Sequence, residues 1–249
     1  MNPKVLVAFA TYDGYQYCIN QFIDCISRLQ YDRHTILCVD NSEKEQFAQY
    51  LRAKGIPTMR LIIDRKNTAP RDIILESRKR IRSHFLENDY DYLLSLDCDV
   101  MVPPNIITQL LAHHKDIVTG LYLFNPKING KDEIHPLVFV PYDDEQAKLL
   151  TVSDALPNRL IEIAVSGWGC VLVKRAVLEQ VNLRRLPATT EDVFFYIDAQ
   201  KKGFRAYTDT SLKCFHMAYP EEDSRNELFK WENYLDKRGP QYSFSVSRG

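Results

Sequence analysis

The fold is decided by residues 92–99, YLLSLDCD, in which an apolar run of strand length ends on two aspartates. Unbroken apolar runs are typical of strands that are buried on both faces, as in parallel sheets. Toward the N-terminus, similar runs at residues 5–10, 35–39 and 59–63 alternate with segments whose apolar residues recur at helical spacing. Because helices between strands favour parallel pairing, this half predicts an α/β sheet with ligands beyond the carboxyl ends of its strands.

The second half of the chain is less regular. Its apolar runs predict strands at residues 116–124, 135–140, 159–165, 171–173, 204–207 and 212–215, with a polar linker at 143–154. Helical spacing predicts helices at residues 174–181, 191–202 and 226–237, the second of which would be capped by Gly203.

The composition of the 249-residue chain is that of an ordinary globular protein, with 45% hydrophobic residues, 26% charged residues and a formal net charge of -1. A nucleic-acid binder would show a basic excess or a basic stripe, so stable nucleic-acid binding is not expected. The densest basic run is predicted to be the solvated face of a helix. It consists of Arg78, Lys79, Arg80 and Arg82.

The sequence contains no stretch of the roughly 20 apolar residues that a bilayer-spanning helix needs. The N-terminus begins with a strand-like run rather than the pattern of a signal peptide. Six cysteines lie outside CxxC pairs and mostly within apolar runs, where cysteine acts as a small core residue. These features predict a cytoplasmic protein with reduced thiols.

Asp97 and Asp99 stand where the fourth apolar run ends. Side chains alternate along a strand, so the two carboxylates would share a face if the extended geometry continues past residue 97. Two neighbouring carboxylates repel each other unless a cation lies between them. Mg²⁺ and Mn²⁺ favour oxygen ligands and often take phosphate oxygens as well, which makes the pair a candidate site for a metal with a diphosphate. The structural alternative is an acid pair that caps the turn before Pro103.

Two further features carry chemistry. Residues 189–192, TTED, open a helix, and this pattern predicts either an ordinary threonine-capped N-terminus or a carboxylate that removes a proton from a hydroxyl. His216 follows a short apolar strand, as the two aspartates do. Imidazole is an acceptable ligand for manganese beside carboxylates, although a single histidine is more often structural.

In this order, the features resemble those of the GT-A glycosyltransferases, in particular the family 2-like group. The resemblance rests on LDCD at residues 96–99, the Glu-Asp pair at 191–192 and the histidine at 216. It extends to ATYD at 10–13, VDNS at 39–42, NTAPRD at 67–72 and SGWG at 166–169, and so covers about residues 5–216.

The resemblance implies a single α/β domain of the GT-A type, with a Rossmann-like nucleotide-binding half and a mixed central sheet. Residues 1–100 would form the nucleotide-binding half, and residues 101–219 would form the half that holds the metal and the acceptor. Residues 220–249 would form a C-terminal tail that is a candidate lid.

The resemblance also implies how donor and metal are held. Thr11, Asp40 and Arg71 would bind the nucleotide of a UDP- or GDP-sugar. Asp97 would lie near the ribose and the metal. Asp99 and His216 would complete the protein ligands of Mn²⁺ or Mg²⁺.

On the acceptor side, the resemblance implies that Asp192 is the base of an inverting transfer, with Glu191 as the second choice. Gly167 and Trp168 would contact the substrate, Trp168 either as a platform for a sugar ring or as part of the core. The implied activity is transfer of one hexose to an acceptor hydroxyl, because the Gln-x-x-Arg-Trp motif of processive synthases is absent.

The sequence departs from the family pattern in two places. The glycine-rich middle of the NTAPRD segment is missing, and Asn41 replaces the second acid of the VDNS segment. Three different functions therefore stay open beside glycosyl transfer. A sugar-nucleotide pyrophosphorylase would need a glycine-rich phosphate loop after the first strand, where only Gly14 occurs. A non-catalytic module that binds a nucleotide sugar or a glycan is the second, and a metal-dependent phosphodiesterase is the third.

Overall fold

The computed structural model describes residues 2–143, 146–187 and 189–235. The strands are β1 (Val5–Thr11), β2 (His34–Asp40), β3 (Thr58–Arg60), β4 (Tyr92–Asp97), β5 (Val100–Met101), β6 (Ile117–Leu121), β7 (Leu123–Phe124), β8 (Lys127–Ile128), β9 (Lys131–Asp132), β10 (His135–Pro136), β11 (Val138–Pro141), β12 (Ala147–Leu149), β13 (Leu160–Ile163), β14 (Val165–Ser166), β15 (Cys170–Lys174), β16 (Ala206–Lys213) and β17 (Phe215–His216). The helices are α1 (Ile19–Ser27), α2 (Gln46–Ala53), α3 (Pro70–Glu87), α4 (Ile106–Ala112), α5 (Val152–Ala155), α6 (Arg175–Gln180), α7 (Glu191–Lys201) and α8 (Glu232–Leu235), with 3-10 turns at Asp13–Tyr15 and Ser224–Phe229.

The central sheet within the described residues has eight strands in the order β13-β16-β6-β15-β4-β1-β2-β3. The strands of the first half, β4, β1, β2 and β3, run parallel to one another. β15 is antiparallel to both β4 and β6, and β6 is parallel to β16. The sheet is therefore mixed, as expected for a GT-A fold, and it includes strands from both sides of residue 100.

Strand β1 explains why the first half forms a parallel sheet. Residues 5–9 are all fully buried. Val5, Val7 and Phe9 belong to one core cluster, where Phe9 meets Phe22 of α1 at a ring-centroid distance of 4.8 Å. Leu6 and Ala8 belong to the cluster on the opposite face. Because helices cover both faces, the strand has no polar residue before Thr11, as the apolar run at residues 5–10 predicts.

The longest helix, α3, begins and ends where its sequence permits. Ala69 is the N-cap in extended conformation, and Pro70 occupies the first turn, where its missing N–H costs no helical hydrogen bond. Asp72 lies in the same turn, where a negative charge suits the helix dipole. No described helix combines the length and the hydrophobicity that a bilayer crossing requires.

Several boundaries differ from the sequence predictions. The predicted strand at residues 116–124 is divided at Tyr122, and β3 has only three residues. The strands predicted at 204–207 and 212–215 are largely one strand, β16, whose register with β6 shifts between Thr208 and Lys213. The helix predicted at 226–237 is a 3-10 turn followed by α8 as far as Leu235, and its last two residues lie outside the described residues.

Candidate functional site

The candidate site lies at the edge of the sheet where β1, β2 and β4 end. Thr11 pairs in register with Asp40, and Ala10 pairs in register with Asp97. Three of the residues singled out from the sequence therefore lie side by side at the carboxyl edge of parallel strands. This edge is where ligands bind in open α/β sheets.

Asp99 reaches this edge through a turn and not through an extended strand. β4 ends at Asp97, and residues 98 and 99 form a turn before β5. The alternation that would put both carboxylates on one face therefore stops at residue 97. The position of Asp99 is instead fixed by β5, which pairs antiparallel with β17. A 2.7 Å hydrogen bond from the Met217 N–H to the backbone oxygen of Asp99 also holds it.

The same pairing brings His216 to Asp99. His216 is in register with Val100, and its Nε2 lies 3.6 Å from an Oδ2 of Asp99. Both side chains are largely buried, with 19% and 14% exposure. Two residues that are far apart in the sequence thus meet at the site.

The orientation of His216 is fixed from its other ring nitrogen. Nδ1 lies 2.8 Å from the carbonyl oxygen of Leu123, which can only accept a hydrogen bond, so Nδ1 carries a proton. In the neutral ring, the lone pair of Nε2 then faces Asp99. Burial lowers the pKa of His216, but the adjacent Asp99 carboxylate outweighs that effect, and the pKa lies above its ordinary value of 6.5. The rings of Tyr122 and Phe229 contact the imidazole edge-on.

Asp99 and His216 fit the chemistry of a divalent cation. Ligands lie about 2.0–2.1 Å from a small cation such as Mg²⁺, so two ligands of one ion are at most about 4.2 Å apart. The 3.6 Å between Oδ2 and Nε2 is within that limit. Among the described residues, no three His, Cys, Asp or Glu side chains are grouped as a complete metal site. The pair therefore fits a cation that takes its remaining ligands from elsewhere, such as the oxygens of a diphosphate.

The prediction that the basic run is a solvated helix face is wrong for Arg78. Its side chain is 10% exposed, and it forms ion pairs with Asp97, at 3.2 Å, and with the buried Glu191. Its guanidinium also lies over the ring of Trp168, 5.3 Å from the centroid. Arg78 thus joins α3, the end of β4 and the start of α7. Lys79 and Arg80 are exposed, as predicted.

The two aspartates have different partners. Asp97 Oδ1 accepts a hydrogen bond from Arg78 Nη2, whereas Asp99 lies beside His216. Burial raises the pKa of Asp97, Arg78 opposes that shift and the Asp99 carboxylate adds to it, with a net rise. The negative charges at this edge therefore repel one another, which is the electrostatic condition under which a cation binds.

Helix α7 begins at the predicted residue but is capped differently. Thr190 is the N-cap, yet its hydroxyl donates to the Asp192 carboxylate and does not accept from the helix. Asp192 also accepts from the Val193 N–H at 2.9 Å and is half-buried, whereas Glu191 is buried against Arg78. Of the two acids, Asp192 is the one with a solvent-accessible side chain.

Asp40 is fully buried. One of its oxygens accepts from the backbone N–H and the hydroxyl of Ser42, and the other accepts from Arg60 at 2.6 Å. Thr11 is also buried, with its hydroxyl 3.4 Å from the sulfur of Cys98. Arg71 is the second residue of α3 and is exposed. The structure thus brings Thr11 and Asp40 to the site edge inside the protein.

Residues 166–169 form a tightly packed turn at the same edge. A Cβ on Gly167 would lie 2.1 Å from the Tyr122 hydroxyl, so only glycine fits there. Trp168 is 2% exposed and packs edge-on against Phe195 of α7. Its ring contacts the core, and a platform for a sugar would require this ring to become exposed.

A surface cavity of about 540 Å³ lies away from these residues. It is lined by Asn2, Tyr31, Tyr92 and His114, among others, near the residues where β1 and β4 begin. None of the strand-end aspartates contributes to it, so it is separate from the candidate site.

Two arginines at the site were not identified from the sequence. Arg78 stands three and seven residues before the buried Ile81 and Phe85, so helical periodicity could have placed it on the inner face of α3. Arg65 lies in the loop after β3 and stacks on Tyr12. No sequence pattern indicates that contact, because it depends on the path of an irregular loop.

Comparison with solved structures confirms the GT-A-like fold. The chain is similar to A197 from STIV, with 19% identity, 87% coverage of each chain and a TM-score of 0.50. It is also similar to GalNAc-T7, crystallised with UDP, GalNAc and Mn²⁺, with 13% identity, a TM-score of 0.62, and 88% coverage of this chain but only 44% of GalNAc-T7. No protein-family model matches the sequence. The search of curated proteins also returned no significant match.

Proposed function

We propose that this chain is a glycosyltransferase that transfers one hexose from a UDP- or GDP-sugar to an acceptor hydroxyl, with a divalent cation. The observation that carries the proposal is the meeting of Asp99 and His216 at the carboxyl edge of the parallel strands. The GT-A-like fold supports it, because GalNAc-T7 was crystallised with a nucleotide, a sugar and a divalent cation.

Asp99 and His216 would hold the cation, Mn²⁺ or Mg²⁺, with Asp97 beside them. When bound, the cation supplies positive charge that stabilises the leaving diphosphate. Arg78 keeps Asp97 in place, because the guanidinium is itself fixed by Glu191. Thr11, Asp40 and Arg71 remain candidates for the nucleotide side, where Asp40 would act by fixing the turn after β2.

Asp192 would act as the base. The acceptor oxygen forms a bond to the anomeric carbon while the bond from that carbon to the diphosphate oxygen breaks, and the hydroxyl proton passes to the Asp192 carboxylate. An attack opposite the leaving group inverts the anomeric centre. Thr190 orients this carboxylate, since its hydroxyl donates to it. Gly167 remains a candidate for substrate contact, because it lies in the turn at residues 166–169. Residues 220–249 are a candidate lid, and the structure describes residues 220–235 of this segment.

The free cysteines support a reducing compartment such as the cytoplasm. All six are free, and five of them are buried. Buried thiols that do not pair are typical of intracellular proteins.

The proposal is tested by incubating the protein with UDP- and GDP-hexoses and an acceptor panel in Mn²⁺, and by measuring release of nucleoside diphosphate. We expect release that stops in chelator and in Asp99→Ala. Asp192→Asn should lose about 10²–10⁴-fold in turnover while it still binds the donor, since a general base contributes about that much. Unchanged turnover in Asp99→Ala would contradict the metal assignment, and unchanged turnover in Asp192→Asn would contradict its role as the base.

A further inference from the structure

A second polar cluster lies beside the metal candidates and consists of Tyr12, Arg65 and Asn41. The Arg65 guanidinium carbon is 4.1 Å from the centroid of the Tyr12 ring. Its Nη1 donates to the Asn41 backbone oxygen at 3.1 Å and to the Asn41 side-chain oxygen. Asn41 is itself anchored, because its backbone N–H donates to Thr11 and its amide donates to Ser77. The guanidinium plane is therefore held at the carboxyl ends of β1 and β2.

Arg65 has hydrogen-bonding capacity that the described residues do not use. An arginine has five N–H donors and no acceptor. Both hydrogen bonds to Asn41 come from Nη1, so Nε and Nη2 have no hydrogen-bond partner in the part of the chain that the structure describes. The side chain is half-buried, and its free donors can therefore be met by an acceptor on a ligand.

A row of aromatic rings connects this cluster to the metal candidates. Tyr12 meets Tyr15 edge-on at a centroid distance of 5.2 Å. The Cys18 thiol lies 3.5 Å from the Tyr15 backbone oxygen and 3.3 Å from the Cys98 backbone oxygen, so the turn at Tyr15 packs beside the residue that directly precedes Asp99. A nucleoside diphosphate whose phosphates lie at Asp99 would extend along these two rings and bring its base to Arg65.

Asp40 does not compete for this role. Its two oxygens are occupied by Ser42 and Arg60, and its side chain is fully buried. A contact from Asp40 to a ligand would break those bonds. Arg65, by contrast, has donors at the ends of β1 and β2 that no described residue occupies.

We infer that Arg65 recognises the exocyclic carbonyl of the donor base and so selects nucleotides with a keto base. Uracil and guanine present a carbonyl oxygen, O4 or O6, whereas cytosine and adenine present an amino group at the corresponding position. Because Arg65 can only donate, an amino group at this position would leave donors unpaired on both Arg65 and the base. A site built to bind a carbonyl oxygen therefore disfavours cytosine and adenine. The inference rests on the proposed nucleotide site.

The experiment measures the dissociation constants of UDP and CDP, which differ at the 4-position, by titration calorimetry in Mn²⁺. GDP and ADP form a second pair. The variant is Arg65→Met, which keeps an apolar stem but removes the donors. The matched control is Lys66→Met, which removes the adjacent exposed charge.

We expect the wild-type protein to bind UDP at least about tenfold more tightly than CDP, because a half-buried site discriminates less than the 10⁴–10⁵-fold of an enclosed one. Arg65→Met should abolish this preference by weakening UDP binding, and Lys66→Met should keep it. Equal weakening of UDP and CDP in Arg65→Met would indicate a phosphate contact and overturn the inference. Equal wild-type affinity for the two would overturn it while the proposed function stands, and no binding of any of the four nucleotides would overturn both.

Discussion

The ends of β2 and β4 lie at one edge of the sheet and carry the same residue type in opposite circumstances. At the end of β2, Asp40 is fully buried, and each of its oxygens accepts from a donor of the chain. After β4, Asp99 lies 3.6 Å from an imidazole nitrogen, and its charge raises the pKa of the Asp97 carboxyl. Satisfied carboxylates stabilise a fold, whereas mutually repelling ones become favourable when a cation is added. The comparison therefore predicts that Asp40 stabilises the fold and that Asp99 binds a ligand.

The largest expected effect is on the structural side of this comparison. Asp40→Ala removes the buried ion-pair partner of Arg60, which keeps only its hydrogen bonds to the backbone oxygens of Glu43 and Lys44, and we expect the free energy of unfolding to fall by about 3–5 kcal/mol. Denaturant unfolding followed by circular dichroism measures this loss. Asp24→Ala, at an exposed position of α1, is the control and should change stability by no more than about 0.5 kcal/mol. Equal effects of the two substitutions would mean that burial does not distinguish Asp40.

Arg78 should behave like a structural residue although it touches the site. Arg78→Met leaves Glu191 buried and unpaired, and we expect a loss of about 3 kcal/mol in unfolding free energy. Adding Glu191→Gln should restore part of the loss, because the unpaired charge is then gone. The same unfolding experiment on Arg80→Met, an exposed neighbour on α3, is the control. If Arg80→Met costs as much, the buried ion pair contributes nothing specific.

Asp99 should show the opposite behaviour. Asp99→Asn should weaken Mn²⁺ binding by at least about 100-fold, since loss of an outer-shell partner alone costs about 10–100-fold. The free energy of unfolding of this variant without metal should change little, because the substitution removes a charge that repels the Asp97 carboxylate. Calorimetric titration with Mn²⁺ and UDP, together with an unfolding curve, measures both quantities. A variant that unfolds readily but still binds Mn²⁺ would reverse the comparison.

The smallest effect is the pH dependence of metal binding. The pKa of His216 lies above 6.5, and a cation must displace the proton from Nε2. Affinity for Mn²⁺ should therefore be full above the raised pKa and decline as the pH falls through it, with proton release on binding. Calorimetry in two buffers of different ionisation enthalpy detects that proton. His216→Gln should show no proton release in this range; release that persists in this variant would assign the proton to another group.

Much of the fold follows from the sequence because burial on both faces leaves a simple pattern. The runs at residues 5–10, 36–39 and 92–96 are apolar except for the buried Ser95, and the intervening helices favour parallel pairing. β16 was harder to predict, since its register shift between Thr208 and Lys213 interrupts the pattern. Such irregularities depend on neighbouring strands and not on local sequence.

The site was less predictable than the fold. Asp97, Asp99 and His216 could be selected because each follows an apolar strand, and the structure brings Asp99 and His216 together. The burial of Arg78 and the Tyr12–Arg65 contact are products of tertiary packing. A charged residue is expected at the surface unless its partners are known, and those partners come from distant segments. The functional roles of all these residues stay predictions that the experiments above test.

The pairing of β5 with β17 has a consequence for how the protein is made. It joins residues 100–101 to residues 215–216, so the two candidate metal ligands meet only after more than a hundred intervening residues have been synthesised. Long-range contacts of this kind close late, because the entropy of the connecting loop opposes them. During translation, β1 to β4 can assemble first, and a nascent chain would gain affinity for a divalent cation only when β17 has left the ribosome and docked.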